Sequence, residues 1–135
     1  MKKILWPVRV YYEDTDSGGV VYHANYLKYF ERARTEYLRA MGHELDVLSR
    51  EHGVLFVVRT LGIDYLKPAR FNDALLASAE VTGLRPASLT FTQTLTRGED
   101  LLLATAEVKV VCLGVDGFRP VAIPAILLHS LKHEF

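Results

Sequence analysis

Apolar residues recur at Tyr26, Leu27, Phe30, Ala33, Tyr37, Leu38 and Met41, a spacing that lines up one face of a 3.6-residue helix. Lys28, Glu31, Arg32, Glu36 and Arg39 fall mainly on the opposite face, with Arg32 and Glu36 at the favourable i,i+4 separation. The pattern predicts a helix starting near Ala24, and Gly42 supplies its stop. Elsewhere the period drops towards two. Residues 4–12 read as a first strand, with Pro7 near its start where a missing N–H is tolerated. Residues 54–65 are strongly β-prone, with Gly62 a candidate bulge. Residues 88–97 alternate cleanly, with Leu89, Phe91, Gln93 and Leu95 on one face and four threonines on the other.

The remaining segments are less regular. Residues 43–52 suggest a short second helix closed by Gly53, and 66–73 break the sheet through Pro68, Arg70 and Asn72. Residues 74–82 have helical propensity, but turns and strands flank them, so a strand is expected there. Residues 83–86 are expected to turn, 98–100 to turn again, and 101–115 to form a long strand. Asp116-Gly117 signals a hairpin with 118–122 pairing back, and Pro124 opens a short helix or a frayed tail. One long helix followed by about four antiparallel strands is an α+β pattern.

Composition narrows the possibilities. A chain of 135 residues, half of them hydrophobic, has room for one domain with a real core, expected to span 1–135. Sixteen basic and sixteen acidic residues cancel, so no overall field draws the chain to nucleic acid or an anionic membrane. An anionic ligand would have to be met by a local cluster of Arg and Lys. The lone Cys112 excludes internal disulfides and a multi-cysteine metal site; mid-strand, it reads as a small buried hydrophobe. The apolar run near the N-terminus is interrupted at Arg9, too short for a signal peptide or a membrane span, which makes the cytoplasm the default compartment. The five histidines show no zinc spacing: His129 and His133 are i,i+4 but lie in the frayed-looking tail.

Chemistry concentrates just before the long helix. Glu13, Asp14 and Asp16 precede a Ser17-Gly18-Gly19 turn, and Val20-Val21-Tyr22-His23 leads into the helix. A helix N-terminus offers unpaired N–H groups and a partial positive charge, fit to hold a developing oxyanion. A carboxylate on the tight turn upstream can attack a carbonyl held there, or deprotonate a water that does. The same residues would also serve as a helix cap and a solvated turn, so the local pattern leaves both roles open. Ser17 has no evident Asp–His relay and is a poor nucleophile candidate.

The run from Tyr11 through Glu36 (Y-x-E-D-T-D-x-G-G-V-V-Y-H-A-x-Y-x-x-Y-x-E-R-A-R-T-E) resembles the signature of the 4-hydroxybenzoyl-CoA thioesterase family, and most closely its bacterial Tol-Pal-associated acyl-CoA thioesterases. F-V-V-R at 56–59, Y-x-x-P-A-R at 65–70 and E-V-x-V-V-C at 107–112 extend the likeness from about Trp6 to Leu128. The resemblance implies a hotdog fold, in which a curved antiparallel sheet wraps one central helix, and hydrolysis of an acyl-CoA thioester without a metal or redox cofactor. Asp16 aligns with the family's catalytic carboxylate, as nucleophile or general base, with Glu13 and Asp14 as its rivals. His23 stands where the family has its oxyanion donor, through its backbone N–H; its ring either orients substrate or water or points elsewhere. Gly19 and Tyr22, beside Gly18, shape the approach to the carbonyl. Arg59, Lys67, Arg70 and Arg85 are the cations available for the phosphates of coenzyme A, the Lys67–Arg70 loop being the best candidate. The likeness also implies a homo-oligomer: a dimer of hotdogs with sites between chains, pairing again into a tetramer. A binding module for acyl-CoA or an acyl carrier protein, within an envelope or lipid-synthesis assembly, is the alternative. A dehydratase of the same fold is a third reading, whose His and acid lie further apart.

Overall fold

A computed structural model describes residues 3–134. Strand β1 (Ile4–Arg9) leads through a single 3-10 turn (Tyr12–Asp14) and a small hairpin to helix α1 (Asn25–Ala40), then helix α2 (Leu45–His52). Strands β2 (Val54–Tyr65), β3 (Ala74–Arg85), β4 (Ser88–Arg97) and β5 (Leu101–Gly114) follow, and helix α3 (Ala125–Glu134) closes the order. The five strands form one antiparallel sheet in the order β1-β3-β4-β5-β2. This is the hotdog arrangement, with α1 laid mainly across β3 and β1.

The helix sits where it does because of its apolar stripe. Tyr26, Tyr29, Phe30, Ala33, Tyr37 and Leu38 are all buried, and Tyr37 meets Phe91 of β4 edge to face at 5.6 Å. Burying a side chain of this size contributes about 1.5–3 kcal/mol, so this stripe holds the layers together. Leu27 lies about 100° round the helix from Tyr26 and stays exposed. Tyr29 and Arg34 take up inward positions that apolar spacing alone did not mark. Arg34 is only 8 % exposed and donates to Gln93 Oε1 at 3.0 Å. Gln93, fully buried, donates from Nε2 to the Phe30 and Ser78 carbonyls at 2.9 and 3.0 Å. Its amide is thereby satisfied on both ends, which is why the inward face of β4 tolerates it. Glu36 pairs with Arg39, which also bonds Glu44, rather than with Arg32; the Arg32 guanidinium sits 5.9 Å from the Tyr29 ring centroid.

Gly42 ends α1 in the left-handed conformation (φ 88°), and the His43 N–H reaches back to the Leu38 carbonyl at 2.9 Å, which completes the helix stop. Several expectations shift. β1 ends at Arg9, because the next residues turn to bond the 72–73 loop instead (Val10 N–H to Asp73 O, 3.0 Å). The irregularity of β2 falls between Val58 and Thr60, while Gly62 pairs regularly with Glu107. β3 runs through Gly83 to Arg85 and turns on Pro86-Ala87; a Cβ at Gly83 would lie 3.0 Å from Thr90 Cβ, so glycine here permits close strand contact rather than a turn. Past Asp116-Gly117 no strand returns: Pro120 has no N–H to give a ladder, and only a single bridge joins it to Leu113. The C-terminal segment is a docked helix, with Leu127 and Leu131 fully buried, and not a frayed tail. Cys112 is buried, and desolvation pushes its thiol up to about 11.

Candidate active site

The acidic turn is a clamped miniature hairpin. Asp16 N–H donates to Val20 O at 2.9 Å, Gly19 N–H to Asp16 O at 3.0 Å, and Gly18 N–H to the Asp16 side chain at 2.8 Å. Gly19 adopts φ 78°, a region other residues enter at a cost. Tyr22 N–H bonds Asp14 O and Val21 N–H bonds Ala69 O, both at 2.8 Å, so the hairpin is tied to itself and to the Lys67–Arg70 loop. Val20 and Arg70 form a further bridge.

The three acids have different fates. Glu13 is exposed. Asp14 is structural: one carboxylate oxygen accepts the Tyr11 N–H at 2.8 Å and the other accepts Asn25 Nδ2 at 3.1 Å, which fastens the turn to the first residue of α1. Burial, and after it the charge and hydrogen-bonding pull of the nearby Asp14 carboxylate, holds the Tyr29 phenol well above its ordinary value, although among the described residues its hydroxyl meets no partner at full hydrogen-bond geometry. Asp16 is exposed, its carboxylate held at one oxygen by the Gly18 N–H, with no ion pair among the described residues.

None of these acids caps the long helix. The N-cap is Ala24, with no side-chain bond, and the first turn contains no acidic residue. Among the described residues neither the His23 nor the Ala24 N–H has an acceptor. An open helix start of this kind is a ready seat for an anion.

Tyr65, the last residue of β2, stabilises that start. Its hydroxyl donates to the His23 carbonyl at 2.7 Å, and its ring meets Tyr26 edge-on at 4.9 Å. Desolvation, with Tyr26 adding to it, raises its phenol above the usual range. The Tyr26 hydroxyl in turn accepts the Ala69 N–H at 3.0 Å. A cleft of about 290 Å³ opens here, with His23, Tyr26, Tyr65 and Lys67 in its walls. Asp16, Gly19 and Tyr22 lie on the adjoining hairpin rather than in the cleft wall. Lys67 and Arg70 are brought to the hairpin; Arg59 lies at the β2 irregularity and Arg85 at the far β3–β4 turn. Tyr65, Tyr26 and the Asp14–Asn25 link were not singled out from the sequence, although Tyr65 heads the Y-x-x-P-A-R string that carried part of the resemblance.

An exposed carboxylate on a rigid turn, beside a helix start with free N–H groups, is chemically able to attack a carbonyl held there. The chain belongs to the Thioesterase superfamily, whose family model matches residues 18–104. It is 48 % identical over 128 residues to the acyl-CoA thioesterase YbgC of Haemophilus influenzae, covering 95 % of this chain and 93 % of that one. It is equally identical over 127 residues to the acyl-CoA thioester hydrolase YbgC of Escherichia coli O6:H1, with 94 % of each covered. A probable thioesterase from Bartonella henselae superposes with a TM-score of 0.86 at 34 % identity over 90 % of this chain and 99 % of that one. The 4-hydroxybenzoyl-CoA thioesterase of Pseudomonas sp. strain CBS-3 shares the fold, with a TM-score of 0.89 at 20 % identity, covering 96 % and 99 %.

Proposed function

We propose that this chain, acting as one domain, hydrolyses acyl-CoA thioesters to free acid and coenzyme A. The observation that supports this most directly is the uncapped start of α1 beside the free carboxylate of Asp16. The thioester carbonyl oxygen accepts the His23 N–H, where charge builds as the carbonyl becomes tetrahedral. In one route Asp16 takes a proton from a water that adds to the carbonyl carbon, and collapse leaves the free acid and expels the coenzyme A thiolate, which takes up that proton. In the other Asp16 itself adds, collapse expels the thiolate and leaves a mixed anhydride on Asp16, and water hydrolyses that anhydride to the free acid and restores the carboxylate. Gly19 and Tyr22 keep the hairpin shape, and Lys67 and Arg70 meet the phosphates, with Arg59 and Arg85 contributing from further away. Thiol release from a panel of acyl-CoAs tests the reading: turnover by the wild type, lost in Asp16→Asn, supports it, whereas binding without release would make the chain a binding module.

The acyl group, in this proposal short to medium and aliphatic, enters a site shared between chains. β2 is a long edge strand whose Val58 is 47 % exposed, with Leu61 and Tyr65 also in the open. Edges of this kind pair with another copy. Antiparallel pairing of two β2 strands about their middle sets the Tyr65 end of one beside the Val54 end of the other. A second cleft of about 310 Å³, walled by Leu38, Leu45, Phe56, Val58 and Phe91, lies at that end and would receive the acyl chain. The assembly proposed is a two-fold dimer that pairs again into a tetramer, in the cytoplasm. Sedimentation equilibrium that finds an active 15.2 kDa monomer contradicts it. As part of the same proposal the activity serves the Tol-Pal envelope system, a reading supported by the residue pattern of the 11–36 run, with an acyl carrier protein as a further substrate carrier.

A further inference from the structure

Helix α3 brings two histidine rings together on a face that the proposed chemistry does not use. Leu127 and Leu131 are fully buried and set the rotation of the helix, which leaves His129 and His133 on its exposed side. Their separation of four residues stacks the side chains one turn apart. The two Nε2 atoms lie 3.1 Å apart, with ring centroids 4.4 Å apart and the planes nearly perpendicular at 85°. Among the described residues neither ring has an ion pair, and neither histidine lines the cleft beside His23.

In the free protein the two Nε2 atoms lie within hydrogen-bond distance of each other. The same convergence suits a metal ion. Histidine nitrogens bind zinc at about 2.0–2.1 Å, and two bonds of that length to atoms 3.1 Å apart enclose an angle of about 98°. That lies between the right angle of square-planar or octahedral sites and the wider tetrahedral angle. We propose that His129 and His133 form a two-histidine chelate for a late first-row divalent ion, Cu²⁺, Ni²⁺ or Zn²⁺. No third His, Cys, Asp or Glu among the described residues joins them, so water completes the shell and the ion exchanges freely. The order of affinity follows the donors: imidazole favours Cu²⁺ over Ni²⁺ and Zn²⁺, and Ca²⁺ and Mg²⁺ are not bound. Bound metal ties the last two turns of α3 together and so stabilises the docked helix.

Isothermal titration of the full chain at pH 7.5 with CuCl₂, NiCl₂, ZnCl₂ and CaCl₂ tests this. One ion per chain is expected, Cu²⁺ tightest and Ca²⁺ silent. His129→Gln and His133→Gln should each weaken binding by about tenfold or more, since each destroys the chelate, and the double variant, with no imidazole left at the site, should be weaker still. His52→Gln should bind as the wild type does. Both α3 changes are at exposed positions, and far-ultraviolet circular dichroism checks that the helix persists. Zn²⁺ should also raise the melting temperature of the wild type and not of the two variants. Equal affinity in the wild type and His133→Gln, or binding lost only in His52→Gln, overturns the assignment.

Discussion

Asp14 and Asp16 sit two residues apart in one acidic run; Asp14 is bonded into the scaffold while Asp16 is exposed and is proposed to act on the substrate, and substitution should separate the two roles. Asp14→Ala removes the acceptor of the Tyr11 N–H and of Asn25 Nδ2. Hydrogen bonds to a charged group contribute about 1.5–3 kcal/mol each; Asp14 is half-buried, so water replaces part of the loss and roughly 2–4 kcal/mol in total is expected. For a chain of this size that corresponds to a fall in melting temperature of roughly 6–20 °C. Asp14→Asn keeps an acceptor oxygen and should fall between. Asp16→Asn keeps the oxygen that holds the Gly18 N–H and sits in the open, so stability should change by no more than about 0.5 kcal/mol. Its loss is kinetic: kcat/KM should drop about 100-fold or more, roughly 2.7 kcal/mol of transition-state stabilisation. Thermal unfolding followed by circular dichroism and thiol release from a short-chain acyl-CoA measure the two axes. Glu13→Gln should move neither by much. A wild-type melting temperature in Asp14→Ala would refute the structural role, and near-normal turnover in Asp16→Asn would refute the catalytic one.

Other consequences are equally open to measurement. Tyr65→Phe deletes the bond to the His23 carbonyl and should lower kcat by up to about tenfold (about 0.5–1.5 kcal/mol) while the melting temperature holds; an unchanged kcat removes Tyr65 from the site. His43 donates to or accepts from Ser130 Oγ at 2.9 Å, and burial together with His52 lowers its pKa. The neutral form is therefore favoured in the folded state, so its contribution is complete above the unfolded value near 6.5 and is lost as pH falls below it. His43→Gln should flatten the stability profile between about pH 7 and 5, and an unaltered slope would contradict this. Cys112, with its thiol raised to about 11, should resist a thiol reagent at pH 8 in the native protein and react on unfolding; prompt native labelling would show that the strand opens.

What could be read from the chain depended on how local the cause was. The alternation through β4 is set by residues facing one sheet surface, so Leu89, Phe91, Gln93 and Leu95 were legible as inward. The stop at Gly42 is also local: one residue with positive φ and a backward hydrogen bond. Arg34 was not legible, because its burial rests on Gln93, 59 residues away, which in turn is satisfied by Phe30 and Ser78. Gly83 was misassigned for the same reason. A glycine in a strand and a glycine in a turn look alike until Thr90 is known to lie against it. Pro120 worked the other way, as a local veto that outweighed the Asp116-Gly117 signal.

The site shows the same division. Its acids, glycines and helix start were visible because they are contiguous from Glu13 to Asn25. Which acid is free and which is spent on the scaffold was not, since that turns on side-chain bonds to Tyr11 and Asn25. Tyr65 lies 42 residues beyond His23 and reaches it only because β2, running antiparallel along β5, delivers its last residue to the start of α1. In the proposed dimer that delivery also couples function to assembly. The strand that ends on the His23 carbonyl is the same edge that Val58 and Leu61 leave open. A change that shifts β2 along its neighbour by one residue would reverse which face each side chain takes and move Tyr65 off the carbonyl. Arg59 is the extra residue at the irregularity, since Val58 pairs with Val110 and Thr60 with Lys109, whereas Gly62 pairs regularly with Glu107. Deletion of Gly62 therefore shifts Ile63 to Tyr65 by one residue along β5 and should abolish turnover while leaving α1 and the acidic hairpin folded. Full activity in that deletion would mean that Tyr65 and the helix start are held by something other than the edge strand.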